Sequence, residues 1–371
     1  MANESAKIAL IGGGLIGRLL AWQLKNENPN YQVELYEKQA KDGQQSAAYV
    51  AAAMLAPLAE SIVAGPLVNQ LGKQSVALWQ ALLAQLPEPV FIQQAGTLVI
   101  AHQQDAGDLK SFRQRLGTGA ELRELTRAGI AELEPQLAGR FNQGLWLPSE
   151  GQLDNRQLLR VLTQALDDVG VGCFYQYEVC IKDNSVWHGA KACGEYDWII
   201  DCRGLGAKSN LKGLRGVRGE VARVRSQEVQ LHRPIRLMHP RYPIYIAPKP
   251  DHEFVIGATE IESENQRPVT VRSTLELLSA AYSVQPAFAE AELISLQTGL
   301  RPTLSDNEPS IDVTNRLITV NGLYRHGYLI GPAMIQQVML KLVEFGLQLN
   351  NVLLADGQIY PPVFRHIERR D

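Results

Sequence analysis

Apolar and polar positions along the chain set out a readable order of elements. Residues 8–11 form a continuous apolar run, a glycine turn follows, residues 15–24 carry apolar side chains at helical spacing, and residues 32–36 form a second apolar run. That order predicts strand, helix, strand. Segment 46–57 is rich in small side chains and ends at Pro57, which suits close helix packing or a backbone lying against a flat ligand. Leu67, Leu71, Leu78 and Leu82 share one face of a predicted helix that stops before Pro87. Residues 94–101 read as a strand, and two charged, weakly amphipathic helical stretches reach about Glu134. Asp154 is a good N-cap for a helix over 156–167. Residues 198–206 read as a buried strand entering a second glycine turn, and several strands are predicted within 217–258, among them 244–247 and 254–257. A helix over 271–282 precedes the last third, where 327–332 leads into a helix over 333–345.

The first glycine turn carries chemistry. Gly12, Gly14 and Gly17 fit G-x-G-x-x-G with a strand before, a helix after, and a second strand that ends at Glu37, twenty residues beyond Gly17. Gly12 permits the tight turn, Gly14 lets the backbone approach a pyrophosphate, and Gly17 lets helix and strand pack closely. The helix start at Leu15 and Ile16 offers unpaired N–H groups and a partial positive charge to phosphates. Glu37 can accept two hydrogen bonds from a ribose diol and would repel a 2′-phosphate. The expected ligand is therefore an ADP-containing dinucleotide, FAD or NAD, and not NADP.

The order of elements does not suit a simple NAD dehydrogenase, whose strands and helices would keep alternating. Here the alternation stops near residue 45 and resumes near 170–206 and 317–345. A chain of 371 residues is also too long for one compact core. The expected fold class is α/β: an FAD-binding Rossmann-like domain in three chain segments, plus an inserted α+β substrate domain with a mostly antiparallel sheet. The first domain is assigned 1–80, 145–215 and 300–371, the second 81–144 and 216–299. This is the plan of many FAD oxidoreductases.

Charge and composition narrow the partners. Net charge is −3 with no basic block, which speaks against nucleic acid and anionic membrane surfaces. The longest apolar stretch, 47–59, is interrupted by Pro57 and is too short to span a bilayer. The N-terminus enters the first strand directly, without the charged and apolar regions of a secretory signal, so a cytoplasmic location is expected. Cys173, Cys180, Cys193 and Cys202 lack C-x-x-C spacing and read as buried free thiols. The seven histidines show no metal-ligand spacing, and no Ser-His-Asp pattern or cysteine nucleophile stands out.

In the last third the sequence resembles a known family. Gly299-Leu-Arg-Pro-Thr-Leu-Ser-Asp-Asn-Glu-Pro309, followed by Gly322-Leu-Tyr-Arg-His-Gly-Tyr-Leu-Ile-Gly-Pro332, is similar to the D-amino-acid-oxidase family of flavoproteins. Within that family it most resembles the glycine oxidases of thiamin biosynthesis. The glycine fingerprint, residues 46–60, Trp146-Leu-Pro-Ser-Glu-Gly-Gln-Leu-Asp154, Tyr245-Ile-Ala-Pro248 and Val255-Ile-Gly-Ala-Thr-Glu260 agree with it in order and spacing. The resemblance implies non-covalent FAD, oxidation of a small amino acid to its imine, and reoxidation by dioxygen to give hydrogen peroxide. It matches Arg301 to the arginine that grips the substrate carboxylate, Tyr245 to the active-site tyrosine, and Arg325 to the loop along the flavin ring. Glu260 falls at a position that lines the substrate pocket. Cofactor contacts are implied at Lys38, Ser46, Ala52, Ala53, Met54, Val179 and Gly204. They are also implied at Arg301, Arg325, His326, Gly327, Tyr328 and Leu329. The chain departs from the glycine-oxidase pattern at Leu323, where histidine is usual, at His326, where asparagine is usual, and at Ala53, where glycine is frequent. No cysteine follows Cys202, so relatives that link FAD through a cysteine in the C-terminal half are not models here.

The side chains suit this chemistry on their own terms. Arg301 offers a planar two-pronged donor that stays charged when buried. Tyr245 alternates with Ile244 and Ile246; if those face the sheet's core, Tyr245 faces the other side and its phenol could donate to the same carboxylate. Glu260, fifteen residues on, is expected on the adjoining strand, where it could accept from a substrate ammonium or limit the side chain. The positive end of the C-terminal helix could stabilise charge on a reduced flavin. The expected function is an FAD-dependent oxidase of glycine, a small N-substituted glycine or a D-amino acid, with a role in thiamin biosynthesis. The alternatives are a dehydrogenase that passes electrons to a quinone and a flavin-dependent protein-maturation partner. A homo-oligomer is expected by family analogy.

Overall fold

The computed structural model describes residues 5–240, 243–349 and 363–370. Most of the N-terminal stretch used to argue against a secretory signal, residues 1–4, lies outside them.

The first apolar run forms the strand Lys7–Ile11, and the second forms Gln32–Glu37; they pair in parallel with the helix Leu15–Glu27 between them. Around this unit a six-stranded sheet is built in the order Ser310–Thr314, Leu317–Asn321, Trp198–Asp201, Lys7–Ile11, Gln32–Glu37, Gly172–Tyr175. All neighbours in it are parallel except the edge pair Ser310–Thr314 and Leu317–Asn321. Strands separated in sequence by more than a hundred residues therefore share one sheet, and its central members Lys7–Ile11 and Trp198–Asp201 are near-continuous apolar runs because they are buried on both faces. One face packs against the helices Leu15–Glu27, Pro66–Leu83, Asn155–Asp168 and Gly327–Glu344. The other is covered by the antiparallel meander Cys180–Lys182, Ser185–His188 and Lys191–Gly194, which the sequence pattern did not reveal.

A second sheet of eight strands runs in the order Glu292–Thr303, Arg215–Arg225, Glu253–Gly257, Ile244–Pro248, Ile235–Met238, Thr97–Ala101, Gln143–Leu147, Arg123–Thr126. Every pair is antiparallel except Ile235–Met238 with Thr97–Ala101. The fold is thus mixed α/β with a mostly antiparallel second sheet, as expected. Gln143–Leu147 and Glu292–Thr303 run across positions 145 and 300, where the sequence placed segment boundaries. A small sheet of Met54–Leu55, Gly151–Leu153 and Ile92–Gln93 lies between the larger two in sequence and ties segment 52–55 in place.

Local chemistry explains several helix ends. Asp154 accepts a hydrogen bond from the Gln157 N–H at 2.8 Å and starts the helix Asn155–Asp168. Thr270 caps Val271–Val284 in the same way through the Ser273 N–H. The C-terminal helix differs from the expectation: it begins at Gly327, not at residue 333, and runs through Pro332. A proline inside a helix orphans the carbonyl four residues earlier, here that of Tyr328. The buried Trp79 Nε1–H donates to that carbonyl at 2.8 Å, so the helix continues without an unpaired acceptor.

The four cysteines are free, as expected, but each is half-buried and not enclosed. Among the described residues, no helix is long and apolar enough to cross a membrane.

Candidate active site

A cavity of about 1280 Å³ opens between the glycine turn of the parallel sheet and one face of the antiparallel sheet. At one end the chain turns at Gly12, whose φ is +103° and whose added Cβ would lie 2.7 Å from the Cys202 carbonyl oxygen. Only glycine fits there. Gly14, by contrast, would point a Cβ into open space on the cavity side. It is also the N-cap of Leu15–Glu27 and supplies no capping side chain, so the first amides of the helix, at Leu15 and Ile16, remain open to a ligand. Gly17 does not line the cavity: its Cβ would fall 1.9 Å from the Gly12 carbonyl oxygen, and it acts by letting helix and turn touch.

Glu37 closes this end. Its carboxylate accepts from the Gly13 N–H at 2.6 Å and the Gln39 N–H at 2.7 Å, and it borders the cavity with the exposed Lys38. Each oxygen keeps a lone pair for a ribose hydroxyl. Replacing Glu37 by Ala is expected to lower FAD affinity by about tenfold to a thousandfold, since hydrogen bonds to a charged acceptor are worth roughly 1.5–3 kcal/mol each before competition from water. Turnover should return near that of the parent when excess FAD is added. Full FAD occupancy after exhaustive dialysis of the variant would place the ribose elsewhere. Arg18, which has no place among the residues predicted from sequence, is fully buried beneath this turn. It donates to the carbonyls of Gly13 at 2.6 Å and Lys41 at 2.9 Å.

Along the middle of the cavity run Ser46, Ala52, Ala53 and Met54, with Gly204 opposite. Ser46 caps the short helix Ala47–Val50, and Ala53 adopts a positive φ of +54°. Lys249, another residue missed from sequence, anchors this segment from behind. Its ammonium is buried and donates to the carbonyls of Ala52 at 2.9 Å and Leu153 at 2.7 Å, and to Gln152 Oε1 at 3.0 Å. Burial pushes the Lys249 ammonium down to about 7. Val179 is not on the cavity wall. It packs with Ala9, Ile11 and Tyr36 in the cluster under the meander.

The far end is polar. Tyr245 lines the cavity while Ile246 and Ile244 are buried in the core cluster of the sheet, Ile244 also reaching the cavity rim. Burial raises the Tyr245 phenol above its ordinary value, so it remains a proton donor. Its oxygen leans over Gly257, where a Cβ would be 2.9 Å away. Arg301 sits half-buried on the strand Glu292–Thr303 and donates to the carbonyls of Arg218 at 3.3 Å and Thr259 at 3.1 Å. Its guanidinium covers Gly219, where a Cβ would collide at 2.4 Å. Burial lowers the Arg301 guanidinium, and among the described residues no carboxylate pairs with it. It is a cation awaiting an anion.

Arg325 is different. Glu60 holds its Nε at 2.9 Å and Nη2 at 3.2 Å, and Glu260 holds Nη1 at 2.5 Å. The structure thus brings Arg325 to the cavity wall with three of its five N–H donors engaged by carboxylates. Glu260 lies three residues past the strand Glu253–Gly257, not on it, and is exposed. Both Glu260 oxygens are engaged, the second by the Tyr324 hydroxyl at 2.6 Å. Glu60 was absent from the candidate residues of the sequence analysis, and the acid at the end of the small-residue segment was the available signal. His326 is buried, donates through Nε2 to Glu60 at 3.1 Å, and leaves Nδ1 without a partner. It is also the N-cap of Gly327–Glu344, again without a side-chain cap, so the amides of Gly327, Tyr328 and Leu329 begin a second helix at the cavity wall.

Two uncapped helix starts, a positive-φ glycine turn and an acid at the second strand's end, all on one cavity, fit an elongated dinucleotide with a planar ring. Residues 7–338 match the FAD dependent oxidoreductase family. The chain belongs to that family. This FAD-dependent oxidoreductase is 39% identical over 337 residues to a Rhizobium etli protein named as the thiamine biosynthesis oxidoreductase ThiO, covering 91% of this chain and 96% of that one. It is 28% identical over 344 residues to the glycine oxidase of Geobacillus kaustophilus, covering 88% and 89%. The crystal structure of the Geobacillus kaustophilus glycine oxidase superposes with a TM-score of 0.79 at 24% identity, over 98% of this chain and all of that one, and shows the same fold.

Proposed function

We propose that this oxidoreductase oxidises glycine, or a small N-substituted glycine or D-amino acid, to the imine, with dioxygen reduced to hydrogen peroxide, and that it serves thiamin biosynthesis. The imine then takes up water and gives glyoxylate, or the corresponding 2-oxo acid, with ammonia, or with the substituted amine when the substrate is an N-substituted glycine. The observation that carries this reading is Arg301, half-buried beside Tyr245 and without a carboxylate partner among the described residues, at the opposite end of the cavity from the dinucleotide turn. The relatives named as ThiO and glycine oxidase support the pathway and the substrate class. In this reading the six-stranded sheet with its helices is the FAD-binding domain and the eight-stranded sheet the substrate-binding domain.

Bound FAD supplies the two-electron acceptor for the substrate Cα hydride. The protein's own residues do the remaining work. Arg301 takes the substrate carboxylate in a two-pronged grip, and the Tyr245 hydroxyl donates to it, so the Cα is fixed between the sheet and the small side chains of Ala52 and Ala53. The helix start at Gly327–Leu329 faces the cavity with partial positive charge, where negative charge gathers as hydride leaves the substrate. Purified protein is expected to be yellow, to lose its flavin absorbance anaerobically on addition of glycine, sarcosine or D-alanine, and to yield peroxide from the same substrates in air. Failure of all three to bleach the flavin would overturn the assignment.

A further inference from the structure

Glu60 has a role that the grip on the carboxylate leaves unused. Its oxygens serve Arg325 at 2.9 and 3.2 Å, His326 at 3.1 Å and Arg236 at 3.3 Å. Burial by itself would raise its carboxyl, but Arg325, His326 and Arg236 together hold it well below the usual carboxylate range, so it is ionised. Arg236 stands opposite Tyr245 in the strand register and lines the same cavity. Its Nε–H is buried without a partner, so Glu60 is the acceptor that neutralises it.

Charge at this end can be counted. Among the described residues around Tyr245, Arg236, Arg301 and Arg325 carry three positive charges, and Glu60 and Glu260 two negative ones, while Arg272 and Glu276 on the same cavity offset each other. The remainder is one positive charge, and it sits at Arg301, whose partners are carbonyls. Behind Ala59 the fully buried Glu150 accepts the Ala59 N–H at 2.6 Å, and burial pushes its carboxyl up to about 7, so it adds a partial negative charge near neutrality. One uncompensated cation matches one substrate carboxylate. A second anionic group would enter a buried site with no free cation among the described residues to meet it.

We propose that Glu60 is a specificity-determining residue: by occupying Arg236 and Arg325 it restricts the site to amino acids with a single carboxylate. This rests on Arg301 as the carboxylate site. The test measures acetate and malonate binding to the holoenzyme, by calorimetry and by perturbation of the flavin absorbance. The native protein should bind malonate no more tightly than acetate. Glu60→Gln keeps the shape and removes the charge, and should raise the malonate-to-acetate affinity ratio by about tenfold or more. Glu60→Asp, which keeps the charge, should retain the native ratio. Turnover of iminodiacetate relative to sarcosine should rise in Glu60→Gln in parallel. An unchanged ratio in folded, FAD-loaded Glu60→Gln would overturn the proposal. So would native protein that binds malonate about tenfold more tightly than acetate, a comparison that needs no variant. Acetate that fails to bind the native protein, or binds Arg301→Ala equally well, would instead remove the carboxylate site itself.

Discussion

Arg301→Ala is expected to raise KM for carboxylate substrates by about thirtyfold to a thousandfold, equivalent to roughly 2–4 kcal/mol. The effect is large because the guanidinium is half-buried over Gly219 and its charge has no competing carboxylate among the described residues. Removing it leaves the substrate anion facing carbonyl oxygens and a phenol. Arg301→Lys should recover part of the loss, since a lysine restores the charge but not the planar fork. A substrate amide, which lacks the anion, should lose far less. Steady-state kinetics with sarcosine and its amide check this. An unchanged KM for sarcosine would take Arg301 out of the substrate site.

Gly17→Ala is expected to abolish FAD retention while leaving most of the secondary structure in place. The added methyl would lie 1.9 Å from the Gly12 carbonyl oxygen and 3.1 Å from its carbon, both backbone atoms of the turn. Backbone cannot rotate away as a side chain can, so helix and turn must separate. Overpacking of this kind costs about 1–3 kcal/mol or more, and here it falls on the loop whose amides would face the pyrophosphate. The measurement is the ratio of FAD to protein after gel filtration, with far-ultraviolet circular dichroism as a check on folding. Stoichiometric FAD in the variant would show that the turn tolerates the displacement. Gly14→Ala should also weaken binding, by filling the space that a phosphate would use, but with no collision inside the protein.

The sequence by itself determined the elements whose information is local. The strand Lys7–Ile11, the helix Leu15–Glu27 and the strand Gln32–Glu37 follow from apolar periodicity and three glycines within a few dozen residues. The cap at Asp154 and the outward face of Tyr245 follow from the same short-range rules. Family resemblance then supplied Arg301 and the loop after Gly322. Tertiary structure decided what depends on distant segments meeting. The C-terminal helix starts at Gly327 because Trp79 answers the carbonyl that Pro332 leaves unpaired. Arg18 and Lys249 look like surface cations in sequence, yet carbonyls from other segments enclose them. Val179 carries no local sign of which side of the sheet it will face. Above all, Glu60 reads as a terminal acid of a small-residue segment, and its partner Arg325 is 265 residues away. A buried charge takes its meaning from the counter-charge that desolvates with it. Spacing along a chain can locate a turn or a helix face, but it cannot say which of several arginines will be left without a carboxylate.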